Sequence, residues 1–118
     1  MDQNWRALIV EDDFFIANDL VEGFEPAGIT IIGPVPSLAK ALDILQNETI
    51  DGAVLDINLD GEKVYEVADV LIERGTPLLF VTGYDRPSIP EQYSDVPLLT
   101  KPADTGEVIA VLRRIIVR

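Results

Sequence analysis

Ala53-Val54-Leu55-Asp56-Ile57-Asn58-Leu59-Asp60-Gly61 is the stretch whose reading decides the fold. An apolar run meets a carboxylate and then opens into a polar turn, the pattern of a buried strand. Asp56 then stands at the strand's carboxyl end, the edge at which open parallel α/β sheets bind ligands.

The flanking sequence repeats that arrangement. Upstream, Ala7-Leu8-Ile9-Val10 is a strand run ending in Glu11-Asp12-Asp13. A helical stretch follows, with Phe14, Phe15, Ile16, Leu20, Val21 and Phe24 apolar, stopped by Pro26 and Gly28. Asp12 or Asp13 is a plausible N-cap for it. Ile29 to Val35 is strand-like and contains Gly33-Pro34. Ser37 is a plausible N-cap for a helix with Leu38, Ala41, Leu42 and Leu45 on one face.

Downstream, Val64, Val67, Ala68, Leu71 and Ile72 keep helical spacing, and Gly75 closes that helix. Pro77 to Thr82 is a fourth strand, ended by Gly83. Residues 84–97 carry Pro87, Pro90 and Pro97, which leave room for at most a short helix. They also look poor in apolar anchors. Val96 to Thr100 is a short fifth strand, stopped by Lys101-Pro102. Asp104 and Glu107 resemble a capping box before a last helix with Val108, Val111, Leu112, Ile115 and Ile116 apolar. Strands alternate with helices, which predicts an α/β fold. The expected form is a flavodoxin-like, doubly wound five-stranded parallel sheet of order 2-1-3-4-5, with a short or irregular fourth helix.

Composition narrows the function. The chain has 118 residues and is expected to form a single domain over 1–118 with no output domain. Nine basic against 21 acidic side chains give a net charge of −12. That argues against nucleic-acid phosphates and anionic membranes as partners. With no cysteine or histidine, thiolate and imidazole chemistry are excluded for this chain alone. No apolar run approaches a membrane span, and Met1 to Trp5 is polar and too short for a signal peptide, so a cytoplasmic location is expected.

The predicted sheet edge gathers Glu11, Asp12, Asp56, Thr82 and Lys101. Clustered carboxylates repel unless a positive charge sits among them. A hard divalent ion such as Mg²⁺ fits oxygen-only ligands. Lys101 adds a fixed cation and Thr82 a hydroxyl donor. The set suits phosphoryl transfer onto a carboxylate.

Val10-Glu11-Asp12-Asp13, Leu55-Asp56, Val81-Thr82-Gly83 and Thr100-Lys101-Pro102, taken in order, resemble the motifs of a response-regulator receiver domain. Phe80-Val81-Thr82-Gly83-Tyr84, with Leu55 to Glu62, Val64 and Tyr65, is similar to the stand-alone FAT GUY branch. Val81 stands there where alanine is usual. The resemblance implies that Asp56 is the phosphoacceptor. Asp12 and Asp56 would hold Mg²⁺ with the Asn58 backbone carbonyl, Glu11 would act through water, and Thr82 and Lys101 would contact phosphoryl oxygens. It also implies a histidine kinase or histidine phosphotransfer protein as donor, a monomer, and an output either by binding an unidentified downstream protein or by acting as a phosphate sink. Such a chain is not a classical enzyme; it catalyses its own phosphorylation and autodephosphorylation at Asp56.

Gly83 and Tyr84 are expected to modulate lifetime, together with Asn58, whose side chain would flank the path of an attacking water. Leu98 stands where receivers ordinarily carry an aromatic switch residue. The switch region is therefore expected to be Tyr84, Tyr93 and Leu98, with 84–97 passing from mobile to ordered. A receiver fold used only as an unphosphorylated binding module is the alternative. An EF-hand reading of 56–61 lacks the bidentate glutamate, since its twelfth position is Val67. A haloacid-dehalogenase-like reading finds Asn58 where a second aspartate is wanted.

Overall fold

The computed structural model describes residues 4–117; Met1 to Gln3 and Arg118, parts of the expected 1–118 domain, lie outside the described residues. In order, the main elements are β1 (Arg6–Val10), α1 (Phe14–Phe24), β2 (Thr30–Val35), α2 (Leu38–Asn47) and β3 (Gly52–Leu55). Then come β4 (Asn58–Leu59), β5 (Glu62–Lys63), α3 (Tyr65–Glu73), β6 (Leu78–Thr82), β7 (Leu98–Thr100) and α4 (Thr105–Val117). The main sheet has five parallel strands in the order β2-β1-β3-β6-β7. That is the expected 2-1-3-4-5 order once the short β4–β5 hairpin is set aside.

Strand periodicity divides the core. Leu8, Val10, Leu55 and Phe80 face one layer with Ala41, Leu45, Val67 and Leu71. Ala7, Ile9, Val54, Leu79 and Val81 face the other with Leu20, Phe24, Val108 and Leu112. Helices on both faces explain why the central strands read as continuous apolar runs rather than alternating ones. Gly52 lets α4 lie close to β3, because a Cβ there would stand 2.8 Å from Ile116 Cδ1. Gly33 is held at φ 103°, and a Cβ on it would press on Ile9 O at 3.0 Å.

Asp13, not Asp12, caps α1, its Oδ1 accepting from Phe15 N (2.9 Å) and Ile16 N (3.1 Å). Ser37 caps α2 through Lys40 N. Three sequence expectations are corrected. Phe14 and Phe15, read among the apolar residues of α1, are 73% and 77% exposed, because they fall outside the buried stripe of Ala17, Leu20 and Phe24, and Phe15 has Asn18, Asp19 and Glu22 on its own face. Ile72, placed on the buried face of α3, is exposed at its last turn, where it lines a groove with Gly75 and Pro77.

The third correction concerns 84–97. Only two 3₁₀ turns form there, Arg86–Ser88 and Glu91–Tyr93, in keeping with an irregular fourth helix. The segment is nevertheless anchored: Ile89, Tyr93 and Val96 are buried. The Arg86 guanidinium donates to Tyr93 O (3.2 Å) and Val96 O (2.8 Å), and Tyr93 Oη donates to Asp69 Oδ1 (2.7 Å). The Tyr93 ring stacks on Tyr65 at 4.8 Å and meets Phe80 edge-on at 6.1 Å. Ile89, Tyr93 and Val96 keep helical spacing, but Pro87, Pro90 and Pro97 interrupt the backbone around them, which is why the anchors read as sparse.

Candidate functional site

Parallel pairing sets the site. In register, Val10 lies beside Leu55, Leu55 beside Phe80, and Thr82 beside Thr100. The residues just past these strand ends therefore meet at one edge of the sheet. Backbone bonds fix them there: Asp56 N to Val10 O (2.9 Å), Glu11 N to Val35 O (3.0 Å) and Lys101 N to Thr82 O (2.8 Å). Glu11, Asp56 and Thr82 are the buried polar residues among the described ones, at 5%, 7% and 1% exposure.

Lys101 holds the centre. Its Nζ lies 2.8 Å from Asp56 Oδ2 and 2.9 Å from Glu11 Oε1. Glu11 Oε2 also accepts from Asp13 N at 3.0 Å. Burial pushes the Glu11 carboxyl up to about 7 against the opposing hydrogen bonds from Lys101 and the Asp13 amide. Burial acts to lower the Lys101 ammonium, but its bonds to Asp56 and Glu11 outweigh that and leave it above its usual value. The sequence placed Lys101 at this edge without showing that it bridges two carboxylates.

Carboxylate oxygens of Glu11, Asp12 and Asp56 lie within 4.8 Å of one another. Among the described residues no cation pairs with Asp12, which is exposed. The unneutralised charge of the cluster therefore faces solvent. An all-oxygen donor set with one outward carboxylate fits a hard divalent cation that keeps several waters.

An open cleft of about 540 Å³ lies over Asp12, Asp56 and Lys101, lined also by Asp13, Asn58, Asp60, Thr82, Gly83 and Tyr84, with Glu11 buried behind Lys101. A Cβ on Gly83 would meet nothing within 4 Å. Tyr84 N donates to Thr82 Oγ1 at 3.4 Å, and Tyr84 stands at the rim with Asn58. Every residue expected at the site is thus brought together: Glu11, Asp12, Asp56, Asn58, Thr82, Gly83, Tyr84 and Lys101. Tyr93 and Leu98 are not part of the cleft. Both pack in or against the core layer beneath α3.

Sequence reasoning assigned nothing to Lys63. The β4–β5 hairpin turns at Asp60 (φ 51°) and Gly61 (φ 94°), a type I′ geometry, and carries Lys63 to the Tyr84 hydroxyl. Asp60-Gly61 is a strong hairpin signal, but strands of two residues leave no alternation to read beside it.

A family model described as the response regulator receiver domain matches residues 7–113. The sensory transduction protein LytT of Bacillus anthracis is 26% identical over 113 residues, 92% of this chain and 46% of LytT. The chain thus spans about half the length of that relative. The solution structure of SdrG from Sphingomonas melonis Fr1 superposes with a TM-score of 0.84 at 34% identity, covering 100% of both chains. A BeF3-activated conformation of SdrG from Pseudomonas melonis Fr1 gives 0.80 at 35% identity, over 99% of this chain and 100% of that one. With the sheet order and the strand-end cluster already in place, these matches put the chain in the response regulator receiver domain family of two-component systems.

Proposed function

We propose that Asp56 accepts a phosphoryl group from a histidine kinase or a histidine phosphotransfer protein, with Mg²⁺ held at the acidic cluster. The observation that carries this reading is the Asp56 carboxylate itself. It is largely buried at the end of the central strand, fixed by Lys101 at 2.8 Å, and still opens on a cleft wide enough for a donor.

In the transfer, an Asp56 oxygen bonds to phosphorus as the donor's P–N bond breaks, and the donor imidazole leaves neutral once protonated. Positioning and charge neutralisation dominate such chemistry. Lys101, already on Asp56, supplies fixed positive charge where the phosphoryl oxygens arrive. Thr82 offers its hydroxyl from the adjacent strand end. Asp12, Asp56 and the Asn58 backbone carbonyl would hold Mg²⁺, with Glu11 acting through water. The ion would supply further neutralisation of the phosphoryl oxygens. No helix among the described residues is long and apolar enough to cross a membrane. The reading further takes the chain as a monomeric, cytoplasmic, stand-alone receiver acting through an unidentified downstream protein.

The BeF3-activated form of the similar SdrG supports this reading. Intact-mass measurement after incubation with Mg²⁺ and a small-molecule phosphodonor tests it. Wild type should gain one phosphoryl group and Asp56→Asn none, since the amide is nearly isosteric but not nucleophilic. Phosphate on Asp56→Asn at the wild-type rate, or none on wild type, would overturn the assignment, the latter in favour of a binding module that is never phosphorylated.

A further inference from the structure

Lys63 neighbours both residues that flank the approach to Asp56. It stands directly opposite Asn58 in the antiparallel β4–β5 pair, so their side chains share one face of the hairpin. Its ammonium contacts the Tyr84 hydroxyl and lies 4.8 Å from the centroid of the same ring. Tyr84 is held at its other end, where its amide donates to Thr82 Oγ1. Asn58 is fixed in turn, its Oδ1 accepting from Gly61 N at 3.2 Å. The cleft behind this rim is lined by Asp12, Asp13, Asp56 and Asp60, so a cation at the edge is drawn toward it.

We infer that Lys63 is a positioning residue for the lifetime of the aspartyl phosphate, acting by holding the Tyr84 ring across the mouth of the cleft. This inference rests on Asp56 being the phosphoacceptor. Hydrolysis requires a water oxygen to bond to phosphorus while the P–O bond to the Asp56 carboxylate breaks. Inorganic phosphate and the free carboxylate result, and the water's proton passes to phosphate or solvent. The attacking water must come in line from the open side. A ring fixed at both its backbone and its hydroxyl occupies part of that approach. A ring fixed at its backbone alone swings with the side chain's own freedom.

The test follows decay of the phosphorylated protein, after removal of a small-molecule donor, in wild type, Lys63→Met, Lys63→Arg, Tyr84→Ala and the Lys63→Met/Tyr84→Ala double variant. Lys63→Met keeps the bulk and removes the charge. It should shorten the half-life about twofold to fivefold, the range open to an exposed contact of this kind. Lys63→Arg keeps the cation over the ring and should restore most of the lifetime. Tyr84→Ala should also decay faster, and the double variant no faster than Tyr84→Ala alone, because Lys63 acts through the ring. A merely structural lysine would give neither the arginine rescue nor this lack of additivity. Superimposable decays of wild type and Lys63→Met, or effects that multiply in the double variant, overturn the inference while leaving Asp56 as acceptor. Wild type that takes up no phosphate removes the acceptor reading and this one with it.

Discussion

Replacing Lys101 with methionine should strand two buried carboxylates. The lysine side chain is 20% exposed, Glu11 3% and Asp56 8%, and its contacts with them run from 2.8 to 3.1 Å. Removing one partner of a buried ion pair costs about 3–5 kcal/mol. The cleft admits water to Asp56, so the lower end applies, about 3 kcal/mol. For a domain of this size that corresponds to a fall of roughly 12 °C in melting temperature. Urea unfolding in EDTA measures the cost directly. The pH dependence supplies an internal check. The Glu11 carboxyl is already raised to about 7 from 4.5 by burial, and losing the Lys101 bond raises it further. Between those values the native state binds more protons than the unfolded chain, so this group's contribution is present at low pH and lost as pH rises. The deficit of Lys101→Met should therefore shrink between about pH 8 and about pH 5. Mg²⁺ should stabilise the variant more than wild type, by binding the native state alone where two carboxylates lack the lysine. A cost below about 1 kcal/mol, the scale of an exposed pair, would refute the reasoning, as would a cost independent of pH.

Asp12→Asn removes the outward charge of the cluster and should raise the melting temperature in EDTA while abolishing the Mg²⁺-dependent rise; a lower melting point with the Mg²⁺ response intact counts against the metal site. Gly52→Ala should cost about 1–3 kcal/mol in urea unfolding by forcing Ile116 and Leu112 off β3. The Tyr93 hydroxyl is pushed up to about 12 from 10.0, first by burial and then by its bond to Asp69. Its folded pKa lies above the unfolded one, so its contribution holds below pH 10.0 and is lost as pH rises toward about 12. Thermal melts should show Tyr93→Phe losing less stability than wild type across that window. Hydrogen exchange with and without phosphorylation tests the switch region. A gain in protection is expected at Tyr84 to Ser88, and equal exchange of those amides in both states would exclude an ordering step there.

The five strands of the main sheet and their terminal residues were legible because strands covered on both faces must be largely apolar. Any polar residue in or just after such a run marks a strand end. That logic found Glu11, Asp56, Thr82 and Lys101 from four separate places in the chain. It could not find contacts made by side chains that look solvated in sequence. Lys101 reaches Glu11 across 90 residues, and Lys63 reaches Tyr84 across 21, through geometry that only the assembled sheet supplies. Apolar pattern also overcounted burial at helix ends. Ile72 keeps the helical period but stands in the last turn of α3 at the groove beside Gly75, while Phe14 and Phe15, in the first turn of α1, fall outside its buried stripe of Ala17, Leu20 and Phe24.

The same distinction bears on how a charge change at Asp56 would leave the site. Thr82 is joined to β7 through its carbonyl, which accepts from Lys101 N, while Phe80, two residues earlier on β6, touches the Tyr93 ring. A pull on Thr82 therefore acts on a strand whose neighbours are Lys101 on one side and the anchored end of 84–97 beneath it. Leu98 is half-buried against that same layer and has no polar tip to exchange between two positions. Wholesale ordering of 84–97 is a poor fit, because Ile89, Tyr93 and Val96 are already buried. The exposed part of the segment nearest the cleft is Asp85 to Ser88, which follows Tyr84 directly. The order–disorder reading thus narrows to those residues. A bond from Thr82 to a phosphoryl group would bear there on a short turn closed by Ser88 N on Asp85 O, by Ser88 Oγ on Asp85 Oδ1 and by the Arg86 contacts with Tyr93 O and Val96 O, so ordering is expected in that turn rather than across the whole segment.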